Sequence, residues 1–315
     1  MVQGQSTSDN RYTVMGSLSV VFWGMVAGFE RLTTQTFGTQ LGAAVMYLFA
    51  VALVFLLMRP ERPSAYGWKY ILFSGATFAM TDIFFAFSVG LSTTPQQVVE
   101  VSIVNYLWPT LVVLANLAVD RNTHANWLIV PGTLLATLGV ATVVGGDSGF
   151  NLAGIVANVG SNPLPYLLAL LDACSWTTYS VVTPRISKGK NALPYCFMAT
   201  MLSTWTIWLV TSLATGWLLP EPGSISPVSF VAPVLAALVL VGGYYCWNVG
   251  ILRGSMRVLS IVSYMTPVCN GIASAIILQV SLGVTFWVGL FMVVTGSILS
   301  FVATRQKEPV GKHAR

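Results

Sequence analysis

The chain has 315 residues, of which 15 are Lys or Arg and 10 are Asp or Glu, so charged residues make up 8% against roughly 25% in an average soluble domain. With 55% hydrophobic residues, it has too few charges to hydrate the surface of a soluble protein of this length, which excludes an ordinary soluble enzyme and a disordered chain. At about 20 apolar residues per span, ten spans would use roughly 200 residues and leave no room for a separate soluble catalytic domain.

In chain order, the apolar stretches predict helices near 12–30, 38–58, 69–91, 95–118 and 125–146, then near 163–185, 194–217, 227–252, 256–279 and 283–304. The first stretch lacks a small-residue cleavage site and is expected to be a retained helix rather than a signal peptide. Glu30 is expected to end it beside Arg31, pairing with that residue or meeting water. Gly24 and Gly28, and Gly38 and Gly42, form small-xxx-small pairs on the first two helices, which permits close helix approach inside the chain. Thr94-Pro95-Gln96-Gln97 has the pattern of an N-cap, a first-turn proline and a capping box, and Glu100 follows near the positive end of that helix. No charge lies between Arg257 and Arg305, and the segment Gln279 to Gly283 is the polar break that divides this stretch into two spans.

Ten spans put both termini on one side of the membrane. Fourteen of the 15 Lys and Arg residues then fall on that side and only Arg31 on the other, so the termini are expected to be cytoplasmic and the +5 balance marks topology rather than nucleic-acid binding. Cys174, Cys196, Cys246 and Cys269 all fall in predicted helices without metal-ligand spacing. Trp68, Trp127, Trp217 and Trp287 lie near span ends and suit the interfacial belt.

The sequence repeats internally. Ser-Ile-Val-Asn-Tyr-Leu-Trp-Pro at 102–109 matches Ser-Ile-Val-Ser-Tyr-Met-Thr-Pro at 260–267 in five of eight positions. Val89-Gly90-Leu91 answers Val249-Gly250-Ile251, and Phe84-Phe85 answers Tyr244-Tyr245. The last predicted helix of each half carries glycines seven apart, Gly132 and Gly139, then Gly289 and Gly296. Five helices per half is an odd number, so the second half must cross in the opposite sense. The expected fold is an all-α polytopic membrane protein of ten transmembrane helices in two inverted five-helix repeats, 12–146 and 163–304, followed by a basic cytoplasmic tail, 305–315. Such paired halves are used by secondary transporters.

These features, and the segment Glu100-Val-Ser-Ile-Val-Asn-Tyr-Leu-Trp-Pro109 in particular, resemble the drug/metabolite transporter superfamily with its EamA-type repeats, most closely its aromatic amino acid exporters. The resemblance implies export of aromatic and other neutral amino acids across a bacterial inner membrane, by alternating access through a central cavity. Many EamA repeats carry an Arg early in the second helix; the stretch from Gly42 to Phe49 has none. A broad-specificity permease of the same fold, carrying other small amphipathic solutes, is the alternative. A membrane-embedded enzyme is poorly supplied, because the chain has no His-Glu-x-x-His and no Gly-x-Ser-x-Gly, and His124 and His313 lie outside the predicted spans. A channel would need polar rings from several subunits, whereas the repeat favours a monomeric carrier.

Ionisable residues inside a span are costly unless they face a cavity or a partner. Asp82, Asp172 and Glu100 are therefore candidates for proton coupling, with Asp82 also able to hold a substrate ammonium or simply to bond a neighbouring helix. Pro109 and Pro267, at matching places in the repeat, are candidate hinges. Asn105, Tyr106, Trp108, Trp176, Tyr179, Tyr244, Tyr245, Asn248, Tyr264 and Asn270 are candidates for the cavity wall if the third, fourth, eighth and ninth helices surround it, as the resemblance implies. Aromatic walls with polar tips suit large neutral amino acids. No cofactor and no metal are expected.

Overall fold

The computed structural model describes residues 10–119, 123–146, 151–187, 190–216, 225–253, 259 and 262–306. Almost all of them are helical: α1 (Asn10–Phe37), α2 (Thr39–Met58), α3 (Trp68–Leu91), α4 (Pro95–Asn105), α5 (Trp108–Val119), α6 (Ile129–Val144), α7 (Leu152–Ser161), α8 (Pro163–Ile186), α9 (Leu193–Thr215), α10 (Val231–Arg253), α11 (Thr266–Leu278) and α12 (Val284–Ala303). Two three-residue strands, Thr123–Ala125 and Thr304–Gln306, pair antiparallel and tie the chain before α6 to the chain after α12.

Among the described residues, seven helical segments are long and apolar enough to cross a membrane, one of them running through α4 and α5. The apolar helices α6 and α11 are shorter. The outward faces carry exposed Leu56, Leu72, Val130, Leu213, Ile276 and Phe291, each more than half exposed. A soluble surface would not tolerate that many large apolar side chains in continuous faces, so the chain is a multi-pass membrane protein.

The boundaries differ from the sequence reading in four places. First, α1 does not end at Glu30. It runs on to Phe37, because Glu30 and Arg31 are buried against other helices and the chain turns only at Gly38, whose φ of 78° suits glycine. Arg31 is therefore a helix residue, not a loop residue, and Gly38 is a turn residue, not part of a helix. Second, the predicted helix 95–118 is broken at Tyr106 and Leu107. The following proline cannot donate to the turn before it, so the helix stops and restarts. Third, a matching break at Tyr264 and Met265 precedes α11. Both breaks close with short-range bonds: Leu107 N to Val104 O at 3.1 Å, and Met265 N to Val262 O at 2.9 Å. Fourth, α7 lies in what was expected to be a connection. Asn151 caps it, its side chain accepting from Ala153 N at 2.9 Å. Arg121, Lys188, Trp217, Arg257 and His313, the first residues of the predicted helix 256–279 and most of the tail, lie outside the described residues.

The helices pack in pairs. α1 lies on α10 and α11, α3 on α8 and α9, α2 on α9 and α10, α8 on α4 and α5, α4 on α11, and α6 on α12. The α6–α12 pair is the tightest: a Cβ on Gly296 would sit 2.4 Å from Ala136 N, and one on Gly139 2.6 Å from Gly289 O. Gly24 likewise meets Cys269, and Gly28 meets Ile277, so this pair serves packing of α1 on α11 within the chain. One core cluster joins α1, α2, α3, α9 and α10 around Phe78 and Phe197. Another joins α4, α6, α8 and α12 around Ile103 and Leu290.

Candidate functional site

A cavity of about 120 Å³ lies where the two cores meet. The wall is aromatic: Trp23 from α1, Phe85 from α3, Tyr106 from the first helix break, Trp108 from α5, Trp176 from α8 and Tyr244 from α10. Phe78, fully buried, stands behind this wall with its ring 5.3 Å from Tyr244 and 6.4 Å from Trp176. Trp176 is stacked on Tyr179 at 5.3 Å and meets Trp108 edge-on at 6.2 Å. Rings locked by rings keep their orientation, so the wall is preorganised.

The polar part of the wall is Thr81, Asp82, Asn105, Asp172 and Thr266, with Val26 and Leu240 completing the lining. Thr200 on α9 donates to Asp82 at 3.5 Å, and the Tyr47 hydroxyl faces the same carboxyl. Asn105 donates from Nδ2 to Asp172 Oδ2, across from α4 to α8. The other oxygen, Oδ1, is buried with no hydrogen-bond partner. The lining therefore offers two carboxyls, and no Lys, Arg or His is among its residues. Carboxyls suit an ammonium group, the aromatic faces suit apolar bodies and cations, and Asn105 and the threonines supply neutral hydrogen bonds.

A larger recess of about 820 Å³ opens at the end where α4 and α8 begin and α11 ends. The expected cap is formed: Thr94 accepts from Gln97 N at 3.1 Å. The Gln97 side chain accepts from Thr93 N at 2.9 Å rather than from Thr94, and exchanges hydrogen bonds with Asn162 at the start of α8. Glu100 lines this recess and accepts from the Tyr166 hydroxyl. It belongs to the mouth and not to the central cavity.

Two of the solute exporters known in bacteria resemble this chain over nearly its whole length. The aromatic amino acid exporter YddG of Salmonella typhimurium is 34% identical over 95% of this chain and 100% of its own. The aromatic amino acid exporter YddG of Escherichia coli is 34% identical over 93% of this chain and 98% of its own. The EamA-like transporter family matches residues 163–302. The chain belongs to the EamA-like transporter family. A solved crystal structure described only as that of a protein superposes with a TM-score of 0.64 over 93% of this chain and 98% of its own, at 20% identity, a likeness of fold alone. This family consists of transporters, and the protein is not an enzyme.

Of the candidate residues, Asp82, Asn105, Tyr106, Trp108, Trp176, Tyr244 and Asp172 line the cavity. Tyr179 stands one layer back, stacked on Trp176. Tyr245, Asn248, Tyr264 and Asn270 are not in the lining. Tyr264 meets Phe301 at 5.9 Å, and Asn270 donates to Gly24 O at 3.3 Å, fastening α11 to α1. A run of polar and aromatic residues on one helix covers more than one face, so only part of it can look inward. Pro267 is the second residue of α11, and Pro109 the second of α5, each just past its break. Glu30 forms no ion pair with Arg31 among the described residues, since Arg31 Nη1 donates to the carbonyls of Val89 and Gly90 at 3.2 Å each.

Trp23, Val26, Thr81, Phe85, Leu240 and Thr266 were not among the candidates. Thr266 could have been found from the repeat, where it occupies the place of Trp108. Trp23 could have been found from Gly24 and Gly28, whose packing on α11 makes α1 an inner helix. Val26 and Leu240 carry no sequence signal that separates them from other core residues.

Proposed function

We propose that this protein exports aromatic and other neutral amino acids across the bacterial inner membrane, alternating the access of its central cavity between the two sides. The observation that carries the reading is the cavity itself: an aromatic wall facing two carboxyls, in a chain collinear with aromatic amino acid exporters. The indole or phenyl ring lies against Trp23, Trp108, Trp176 and Tyr244, the ammonium takes Asp82 or Asp172, and Thr81, Thr266 and Asn105 meet the carboxylate. A cavity of about 120 Å³ is well below the roughly 300–1,000 Å³ of a filled ligand site. The wall must widen to load, and the helix breaks before Pro109 and Pro267 are where the short segments α5 and α11 pivot.

The same reading holds ten spans, five per half with the second half inverted, as repeats 12–146 and 163–304, with both termini cytoplasmic and a monomer as the working unit. Helix packing supports it. Taking α4 and α5 as one span and replacing each span by the one five places on exchanges α1·α10 with α8·α3, α2·α10 with α9·α3, and α1·α11 with α8 on α4 and α5. The pairs α2·α9, α6·α12 and α4·α11 map onto themselves. Paired breaks at 106–107 and 264–265 add to this support.

Counterflow in liposomes tests the proposal. Protein-loaded vesicles preloaded with tryptophan, phenylalanine, methionine or threonine should accumulate the labelled amino acid well above empty vesicles. Uptake at the empty-vesicle level for all four would end the amino acid reading. A broader permease is favoured by the presence of two carboxyls without a lining cation. It predicts that arylalkylamines compete at least as well as tryptophan.

A further inference from the structure

The recess of about 820 Å³ at the starts of α4 and α8 has no task in the transport cycle proposed above. It falls within the roughly 300–1,000 Å³ of a ligand site, whereas the central cavity of about 120 Å³ is too small to hold a whole amino acid. The two share no lining residue, yet three helices run from one to the other. On α4, Asn105 lines the cavity and Glu100 the recess, about 7.5 Å apart along the axis. On α8, Asp172 lines the cavity and Tyr166 the recess, about 9 Å apart. A hydrogen bond joins α4 to α8 at each level, Asn105 to Asp172 and Tyr166 to Glu100. The third helix, α11, begins at the cavity with Thr266, and its C-cap Gln279 lines the recess.

The two linings differ in chemistry. The recess has no tryptophan, and its two rings, Tyr166 and Phe286, are buried in the core cluster rather than set out as a wall. Glu100 is its one carboxyl, and no Lys, Arg or His is among its lining residues. Gln96, Gln279, Ser281 and Thr285 add neutral amides and hydroxyls, and the N-terminal ends of α4 and α8 favour an anion. An ammonium finds a carboxyl there and a carboxylate finds neutral donors, while nothing is shaped for a ring. Between the recess and the cavity, α11 carries Thr266, Asn270 and Ser274 four residues apart, along one helix face. Asn270 and Ser274 are 1% and 0% exposed, and Asn270 Oδ1 and Ser274 Oγ have no hydrogen-bond partner. Unpaired buried polar atoms are costly, and these two are satisfied when a polar group or water comes between the helices.

We propose that the recess is an outer cargo subsite, which binds the ammonium and carboxylate of an amino acid whatever its side chain, and that the polar face of α11 is the route joining it to the cavity. Discrimination by side chain then belongs to the aromatic cavity alone. This inference rests on the protein being an amino acid carrier.

Equilibrium dialysis of labelled tryptophan against the purified full-length protein counts the sites. Wild type should bind two per chain. Ser281→Trp, which fills the recess from an exposed loop position, and Glu100→Gln should bind one each. Unlabelled alanine should displace the recess tryptophan within threefold as well as unlabelled tryptophan does, and the cavity tryptophan at least tenfold less well. Displacement is then two-stepped in wild type and single-stepped in Ser281→Trp. One tryptophan per chain in wild type, unaltered in both variants, overturns the subsite and leaves the transport reading standing. Two per chain in Ser281→Trp does the same. A single tryptophan lost in Ser281→Trp but kept in Trp176→Ala upholds the subsite and overturns the cavity as cargo site. No bound tryptophan and no counterflow overturn both. Ser274→Ala deletes an unpartnered hydroxyl, so its thermal midpoint should not fall and two tryptophans should still bind, while tryptophan counterflow slows at least threefold. An unchanged counterflow rate overturns the route.

Discussion

The contact between α6 and α12 makes the sharpest stability prediction. In Gly296→Ala the new methyl would lie 2.4 Å from Ala136 N, 2.6 Å from Gly132 O and 2.9 Å from Ala136 Cα, against 3.4–4 Å for ordinary contact. These are backbone atoms, so no side chain can swing aside. The helices must separate by about 1 Å, and a gap of that size forfeits a quarter to a half of each dispersion contact along the seam. Overpacking of a tight core costs about 1–3 kcal/mol, and the rigid backbone on both sides places this variant at the upper end, about 2–3 kcal/mol. Gly160→Ala is the matched control: no atom lies within 4 Å of its added methyl, and the helix α7 gains about 0.8–1 kcal/mol of helix propensity. Thermal unfolding in one detergent at one scan rate should rank Gly160→Ala at or above wild type and Gly296→Ala several degrees below it. Adding Gly132→Ala to Gly296→Ala should cost less than the sum, because both open the same seam. A midpoint for Gly296→Ala equal to wild type would refute the close approach of α6 and α12.

Two further outcomes follow from single contacts. Thr94→Ala removes the oxygen that accepts from Gln97 N and should cost about 1 kcal/mol, visible as a lower thermal midpoint, whereas Thr94→Ser should restore it. Trp176→Ala opens the cavity wall beside Trp108 and should raise KM for tryptophan at least tenfold while changing that for threonine about twofold or less, read by counterflow.

Composition and charge spacing were enough to read the class of fold, because lipid imposes one rule on every span. The repeat motif was legible for the same kind of reason. Pro109 and Pro267 act on backbone hydrogen bonding directly, and the breaks fall at Tyr106–Leu107 and Tyr264–Met265, two and three residues before them. The end of α1 was misread because charge was taken as a boundary. Glu30 and Arg31 are buried, and nothing local to 30–31 announces the carbonyls of Val89 and Gly90 that Arg31 meets, 58 and 59 residues away. The cavity was half legible. Asp82, Asn105 and the aromatic residues have side chains that stand out in an apolar background. Which of Tyr244, Tyr245 and Asn248 looks inward depends on the rotation of α10, and that is set by contacts with α1 and α2 that sequence spacing does not encode.

The two ends of the bundle carry different chemistry, and this bears on alternating access as proposed. At the end holding the chain between α2 and α3, Tyr195 donates to Glu61 O at 2.6 Å, Tyr70 donates to Lys190 O at 3.0 Å and accepts from Ala192 N at 3.0 Å, and the rings of Tyr66 and Tyr195 meet at 5.5 Å. The Lys190–Glu61 pair at 3.1 Å adds little, being 41% and 64% exposed. Under the proposed exchange of halves, the counterpart of this end is the turn after α1 and the start of α10, where Phe37 and Phe230 meet at 5.4 Å. The 820 Å³ recess opens on that same side. Opening the tyrosine end therefore costs about three hydrogen bonds at about 0.5–1.5 kcal/mol each, a cost that closing the recess must offset. Tyr70→Phe with Tyr195→Phe removes all three and should lower the cost by about 1.5–4.5 kcal/mol, which raises the open population roughly 10- to 2,000-fold. Amide hydrogen exchange over 59–67 and 190–195 should quicken accordingly while exchange in α6 stays constant. Unchanged exchange in both segments would show that the tyrosine bonds do not hold this end shut.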